Sequence, residues 1–146
     1  MSYQHILVPV DDAPISYAAV EHALSLAKLS GAKVTILSVV AVDPFVGVDF
    51  YQVAPALTDY FLRAEAHAKT RLQDIAHSFV RDDIEVEIKI HHGTASEGIL
   101  FVADEIGSDL IIMGSHGRKG VQRLFLGSVA RAVLTESHIP VLIVKQ

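Results

Sequence analysis

The chain contains no cysteine among its 146 residues. Disulfide bonds, thiolate nucleophiles and zinc sites built on thiolates are therefore excluded. It also lacks an apolar run of membrane-spanning length, and its N-terminal stretch has no basic segment followed by a cleavable apolar one. These absences predict a cytoplasmic protein without a membrane partner.

Basic charge is also scarce. Lys and Arg number 12 against 17 Asp and Glu, which gives a net charge of -5. Nucleic-acid binding needs a basic face, so the composition argues against a nucleic-acid partner. Hydrophobic residues make up 51% of the chain, and the length fits one domain over residues 1–146.

Short apolar runs alternate along the chain with segments of helical periodicity. The runs predict strands at 6–10, 33–42, 84–90, 109–113 and 140–144, and the periodic segments predict helices at 14–30, 56–80, 94–106 and 129–136. This order predicts a single-domain α/β fold with an open, five-stranded parallel sheet and helices on both faces. We take the strand order to be 3-2-1-4-5, which makes strands one and four neighbours across a switch point. Strict alternation at 84–90 indicates an edge strand, and Thr94 to Glu97 resembles a capping box.

One loop carries the main functional signal. Gly114 and Gly117 directly follow the predicted fourth strand, and Gly127 and Ser128 open the last helix. Glycines let the main chain bring its N–H groups close to a ligand, and a helix N-terminus presents further N–H groups and the positive end of the helix dipole. The pattern predicts an anion-binding cradle for nucleotide phosphates.

Several neighbouring side chains have two interpretations. Asp11 either belongs to the site, because it ends the first strand beside the switch point, or caps the helix entrance. His116 either contacts phosphate or is solvated, and the same choice applies to the cations at 118, 119 and 123. The 43–56 connection is either a lid or a surface loop, and the apolar stretch 124–126 either covers the phosphates or packs on a partner.

Two other constellations are weak. Adjacent His91 and His92 at a strand end point to opposite faces and lack a third ligand, so they do not predict a metal site. Ser115 and His116 do not predict a hydrolase pair, because adjacent residues rarely reach the required mutual geometry.

The motif Gly114, two residues, Gly117, nine residues, Gly127, Ser128 closely resembles the signature of the universal stress protein family, a branch of the adenine-nucleotide alpha-hydrolase-like folds. The resemblance extends from the first strand, with Asp11, to the last strand at 140–144. It implies that a chain with the complete glycine motif binds ATP. The chain departs from many members at Asp12-Ala13, where they have Gly-Ser, so a hydroxyl contact from position 13 is not expected.

The resemblance assigns a role to each site residue. It places adenosine against the end of strand one and the main chain of strand two, ribose near Asp11 and the end of strand four, and phosphates or Mg²⁺ at the last helix. The residues implied to bind the nucleotide are Pro9, Val10, Asp11, Val39, Met113, Gly114, Gly117, Gly127, Ser128 and Val129; we add His116 from its position in the loop.

We therefore expect a cytoplasmic ATP- and Mg²⁺-binding module of the stress response that acts on regulatory protein clients of unknown identity. We do not expect an enzyme, because no general base is evident; the alternative is a slow ATPase or nucleotide hydrolase using the same site. The strand at 141–145 is uniformly apolar and lies at a predicted sheet edge. The resemblance implies that it pairs with its copy in a homodimer, although a loop of the same chain is an alternative cover.

Overall fold

The structure, a computed structural model, describes residues 2–41, 50–116 and 126–145, without the side chains of residues 50–54 and 57. Five strands and four helices alternate within these ranges. They are β1 (His5–Pro9), α1 (Pro14–Ser30), β2 (Lys33–Val40), α2 (Phe50–Arg81), β3 (Val86–His92), α3 (Ala95–Ile106), β4 (Leu110–Gly114), α4 (Ser128–Glu136) and β5 (Val141–Val144).

The strands form one parallel sheet in the order β3-β2-β1-β4-β5. The central strand β1 pairs with β2 on one side, with His5 opposite Lys33, and with β4 on the other, with Ile6 opposite Leu110. Strand order reverses between β1 and β4, which makes their carboxyl ends the switch point. The predicted sheet, its order and the edge position of β3 are confirmed.

The sheet has a hydrophobic core on each face because successive strand residues point to opposite sides. Ile6 and Val8 of β1 pack in the core that includes α1 and α2. Leu7 packs in the other core, with α3 and α4. The predicted helices on both faces are confirmed, and α3 and α4 share the face on which the candidate site lies.

Helix α1 has the ends that its sequence predicts. Pro14 occupies the first turn, where its missing N–H costs no helical hydrogen bond. Gly31 ends the helix in the left-handed region at φ 73°, and its N–H donates to Ala27 O at 2.8 Å.

Helix α2 begins earlier than the sequence indicates. It starts at Phe50 and contains Pro55, so residues 50–56 belong to a helix rather than to the long connection predicted at 43–56. Proline removes one helical N–H donor, and for this reason it favours a connection over a helix interior. The helix continues through it, and residues 42–49 lie outside the described part of the chain.

The start of β3 and the cap of α3 also differ from the prediction. Strand β3 starts at Val86, because Ile84 N–H donates to Phe79 O at 2.9 Å and Asp83 takes φ 60° to close the end of α2. The predicted capping box is wrong: Thr94 is the N-cap of α3, but its side chain makes no capping hydrogen bond. Thr94 is exposed, so water can satisfy the first N–H groups of that helix.

Among the helices of the described ranges, none combines the length and apolar character that crossing a bilayer requires.

Candidate functional site

A cavity of about 530 Å³ opens at the carboxyl ends of β1, β2 and β4, between the first turns of α3 and α4. Its volume lies within the range of about 300–1,000 Å³ that is typical of small-molecule sites. The cavity is at the switch point of the sheet, where ligands of open parallel sheets bind.

The structure brings together in this cavity all but one of the residues that the sequence analysis selected. They are Pro9, Val10, Asp11, Val39, Met113, Gly114, His116, Gly127, Ser128 and Val129. The remaining one, Gly117, lies outside the described residues, as do Arg118, Lys119, Arg123 and the apolar residues 124–125.

Six residues that were not predicted from the sequence also line the cavity. They are Ser16, Leu37, Ala41, Ala95, Ile99 and Ala130. Two simple signals could have found some of them: Leu37 and Ala41 are two residues from Val39 in β2 and share its face, and Ala95 and Ile99 are one helical turn apart in α3. The wall made by β2 and α3 is therefore apolar.

The main chain of Val39 is directed toward the cavity. In a parallel strand the N–H and C=O of one residue point to the same side, and the side alternates along the strand. Val10 N–H donates to Leu37 O on the β1 side, whereas Gly93 N–H donates to Val40 O on the β3 side. Val39 must point to the β1 side, and β1 ends at Pro9, opposite Leu37. Its N–H and C=O therefore extend past the last ladder partner into the site.

Asp11 lines the cavity, but it does not cap α1, whose first N–H groups donate no hydrogen bond to a capping side chain. Its Oδ1 accepts hydrogen bonds from Ala13 N–H at 2.9 Å and from Ser16 Oγ at 2.8 Å, so the carboxylate organises the entrance of α1. The actual N-cap is Ala13, which has no capping side chain. The same Asp11 lines the cavity, so its carboxylate is held at the rim of the site by the turn that it stabilises.

The two described glycines of the motif, Gly114 and Gly127, allow close packing and do not have a left-handed backbone. The described glycines with positive φ are Gly31, Gly93 and Gly107, and the motif residues Gly114 and Gly127 are not among them. A Cβ at Gly114 would lie 2.8 Å from Ile15 Cγ2 in α1.

A Cβ at Gly127 would lie 3.1 Å from His116 Cα, and Gly127 N–H donates to Ser115 O at 2.7 Å. These contacts are with protein atoms, so Gly114 and Gly127 let α1 and α4 approach the end of β4 closely.

The N-terminus of α4 has no internal partners for its first N–H groups. Gly127 is the N-cap and provides no side chain, the first turn contains no acidic residue, and the first helical hydrogen bond runs from Arg131 N–H to Gly127 O. The N–H groups of Ser128, Val129 and Ala130 therefore have no acceptor within the helix. All three residues line the cavity, so the positive end of the helix dipole is presented to it.

Ser115 and His116 are closer than the sequence analysis expected. Ser115 Oγ lies 3.1 Å from His116 Nδ1, so adjacent residues do form a hydrogen bond here, and that part of the argument against a hydrolase pair is wrong. Ser115 is buried and is not among the residues that line the cavity, whereas His116 is. The serine hydroxyl therefore holds the imidazole and does not face a substrate.

The adjacent histidines of β3 point in opposite directions, as expected. His91 stacks on Phe101 of α3, with ring centroids 5.3 Å apart. His92 contacts Glu65 and Phe61 of α2 on the other face. Within the described ranges, no group of three or more His, Asp or Glu side chains is arranged to hold a metal ion.

A parallel sheet of this order, with glycines and an uncapped helix at its switch point, defines an α/β domain whose switch point presents N–H donors to an anionic ligand. The universal stress protein family model matches residues 2–145, so the chain belongs to the universal stress protein family.

The relatives support this membership over the whole chain. Universal stress protein MJ0531 of Methanocaldococcus jannaschii is 31% identical over 144 residues, which cover 99% of this chain and 83% of that protein. The solved structure of protein MJ0577 from the same organism has a TM-score of 0.89 and 28% identity, with 100% of this chain and 98% of that chain covered. A universal stress protein solved in complex with cAMP has a TM-score of 0.62 and 26% identity, with 99% and 98% covered.

Proposed function

We propose that this protein binds ATP with Mg²⁺ in the cavity at the switch point and works as a nucleotide-dependent regulatory module of the cytoplasmic stress response. The observation that carries the proposal is the uncapped N-terminus of α4, which directs three free N–H groups into the cavity that the main chain of Val39 also faces. The end of the cavity at α4 suits phosphate, and the end at Val39 suits the hydrogen-bonding edge of a purine.

The base is recognised through Val39. Adenine has an amino donor at N6 beside an acceptor at N1, whereas guanine has an acceptor at O6 beside a donor at N1. The Val39 C=O accepts from N6 and its N–H donates to N1, so adenine matches this main-chain pair and guanine opposes it. The apolar residues Leu37, Ala41 and Ile99 line the cavity and offer contacts to the faces of the ring.

The phosphates lie at α4. Ser128, Val129 and Ala130 provide main-chain donors, Ser128 adds its hydroxyl, and the helix dipole favours the negative charge. By resemblance Gly117 contributes a further N–H. Asp11 lies at the end of β1 between the two regions, where its carboxylate accepts from a ribose hydroxyl.

The coordination of Mg²⁺ at this site depends mainly on the phosphates of the nucleotide. The described residues offer no carboxylate cluster at α4. Magnesium keeps several waters and binds through substrate phosphates with few protein ligands, a coordination that the Ser128 hydroxyl can join. The ion neutralises phosphate charge when it is bound.

A regulatory role requires a site that binds a nucleotide, and the cavity offers hydrogen-bonding groups for one. The related universal stress protein solved with cAMP shows that a member of the family can bind an adenine nucleotide. Protein clients would then recognise the surface around an occupied or empty site.

The test is the nucleotide content of the purified protein, followed by calorimetric titration with ATP, ADP, AMP, cAMP and GTP, each with and without Mg²⁺. Retained ATP and a clear preference for ATP over GTP are expected. Equal affinity for ATP and GTP would contradict the role of Val39, and no binding of any adenine nucleotide would contradict the proposal.

A slow ATPase is the second candidate function. The observation that favours it is His116, which lines the cavity with its Nδ1 3.1 Å from Ser115 Oγ. In the tautomer in which Nδ1–H donates to that hydroxyl, Nε2 is the nitrogen left to accept a proton from water. Steady-state phosphate release that is lost in His116→Ala would support this activity, and release unaffected by the substitution would exclude this base.

We also propose a homodimer through the edge strand β5. Its four residues are apolar, it pairs with β4 on one side, and Leu142 is 36% exposed. A second copy of the strand, antiparallel across a two-fold axis, pairs with the N–H and C=O groups of this edge. The two-fold symmetry closes the assembly at two chains.

A further inference from the structure

Ser16 is buried in the first turn of α1, with 6% of its surface exposed, and still lines the cavity. Its hydroxyl donates to Asp11 Oδ1 at 2.8 Å and accepts from Asp11 N–H at 3.0 Å. One side chain therefore binds both the main chain and the carboxylate of Asp11.

This double contact fixes the direction of the carboxylate. With Oδ1 occupied by Ser16 and by Ala13 N–H, the carboxylate cannot rotate about its bond without losing hydrogen bonds that are buried with Ser16. The other oxygen, Oδ2, takes no part in these contacts and is left for a donor in the cavity. Ala13 has no polar side chain to share this task.

We propose that Ser16 is a positioning residue for ribose recognition. It holds Asp11 so that the carboxylate accepts a hydrogen bond from a ribose hydroxyl, and it thereby sets the preference of the site for a nucleotide that keeps its ribose hydroxyls. This inference rests on the proposed function, because it assumes an adenine nucleotide with its base at Val39 and its phosphates at α4.

The test compares ATP with 2′,3′-dideoxyATP, which lacks both ribose hydroxyls. The wild type should bind ATP more tightly. Ser16→Ala should weaken ATP binding about tenfold, the scale of a hydrogen bond to a charged group, and should leave the affinity for the dideoxy analogue unchanged. The selectivity ratio, unlike the affinity alone, does not respond to a general loss of stability.

Two further variants complete the experiment. Ser25→Ala makes the same substitution at an exposed position of the same helix and should leave both affinities unchanged. Asp11→Asn removes the negative charge, so it should lower the selectivity ratio by itself and abolish the additional effect of Ser16→Ala in the double variant.

The outcomes separate the two proposals. Equal weakening of ATP and the dideoxy analogue by Ser16→Ala, or no effect on either, would overturn the positioning role while leaving nucleotide binding in place. Equal affinity of the wild type for both nucleotides would overturn it as well. A wild type that binds neither nucleotide would overturn the proposed function together with this inference.

Discussion

Gly114 at the end of β4 packs against Ile15 at the start of α1 so closely that a Cβ on residue 114 would lie 2.8 Å from Ile15 Cγ2 and 2.9 Å from Cγ1. Ile15 is 1% exposed, so its side chain has no free space to move into. The contact joins the strand that ends at the glycine motif to the helix that carries Ser16 and follows Asp11.

Gly114→Ala should therefore destabilise the fold by about 1–3 kcal/mol, the cost of overpacking a core. The measurement is urea unfolding. Ile15→Ala removes Cγ1 and Cγ2, the two side-chain carbons nearest the new Cβ, so the added cost of Gly114→Ala should be smaller in that background. A purely additive double variant would show that the two residues do not interact.

Gly127→Ala should weaken ATP binding about tenfold, because its Cβ would meet His116 Cα at 3.1 Å and displace the N-terminus of α4 from the phosphates. Isothermal titration measures the affinity. The matched control is Gly31→Ala, which is strained at φ 73° but remote from the cavity. Gly31→Ala should lose stability and bind ATP normally. A normal ATP affinity of Gly127→Ala would refute this arrangement of α4.

Ser128→Ala should weaken ATP binding by about 1 kcal/mol, the usual contribution of one hydrogen bond. Since the hydroxyl lies at the first turn of α4, the effect should be absent when adenosine is the ligand. Comparing the two titrations checks this. An equal loss for adenosine would place Ser128 at the base or ribose and not at the phosphates.

Protonation of His5 should limit stability at acidic pH. Burial lowers the pKa of His5 below its ordinary value of 6.5, the charge of Lys33 lowers it further, and Glu87 and Asp109 partly oppose this shift. Its Nε2 lies 2.7 Å from Oγ1 of the buried Thr35.

Because the unfolded chain binds the proton more readily, the free energy of unfolding should fall as pH decreases below about 6.5. Urea unfolding between pH 7.5 and 5 measures this slope, which His5→Gln should reduce. His77→Gln, at an exposed position of α2, should keep the wild-type slope. An unchanged slope in His5→Gln would show that another group causes the acid loss.

Leu142→Lys should convert the proposed dimer into a monomer, since it places a charge on the exposed side of β5. Ile143 is less suitable, because it packs against the core on the α3 and α4 face. Sedimentation at micromolar concentration compares the variant with Leu62→Lys, an equally apolar and more exposed position on α2. A monomeric wild type, or a dimer that persists in Leu142→Lys, would contradict the interface at β5.

The sequence by itself determined the order and type of the elements and indicated where the candidate site lies. These features depend on local patterns: apolar runs that predict strands, helical periodicity, and glycines that follow β4 and precede α4. The pattern was less informative about boundaries. Pro55 indicates a break by its chemistry, yet α2 begins at Phe50 and continues through it.

Only the tertiary structure decided how the residues of the candidate site are packed and oriented. The packing of Gly114 on Ile15, the outward main chain of Val39 and the placement of Ser16 in the cavity depend on contacts between elements that are distant in sequence and on strand register. Sequence periodicity assigns a residue to a face of its own element, but it does not determine which atoms of another element that face meets. For this reason the sequence identified Asp11, while the structure showed that Ser16 holds it.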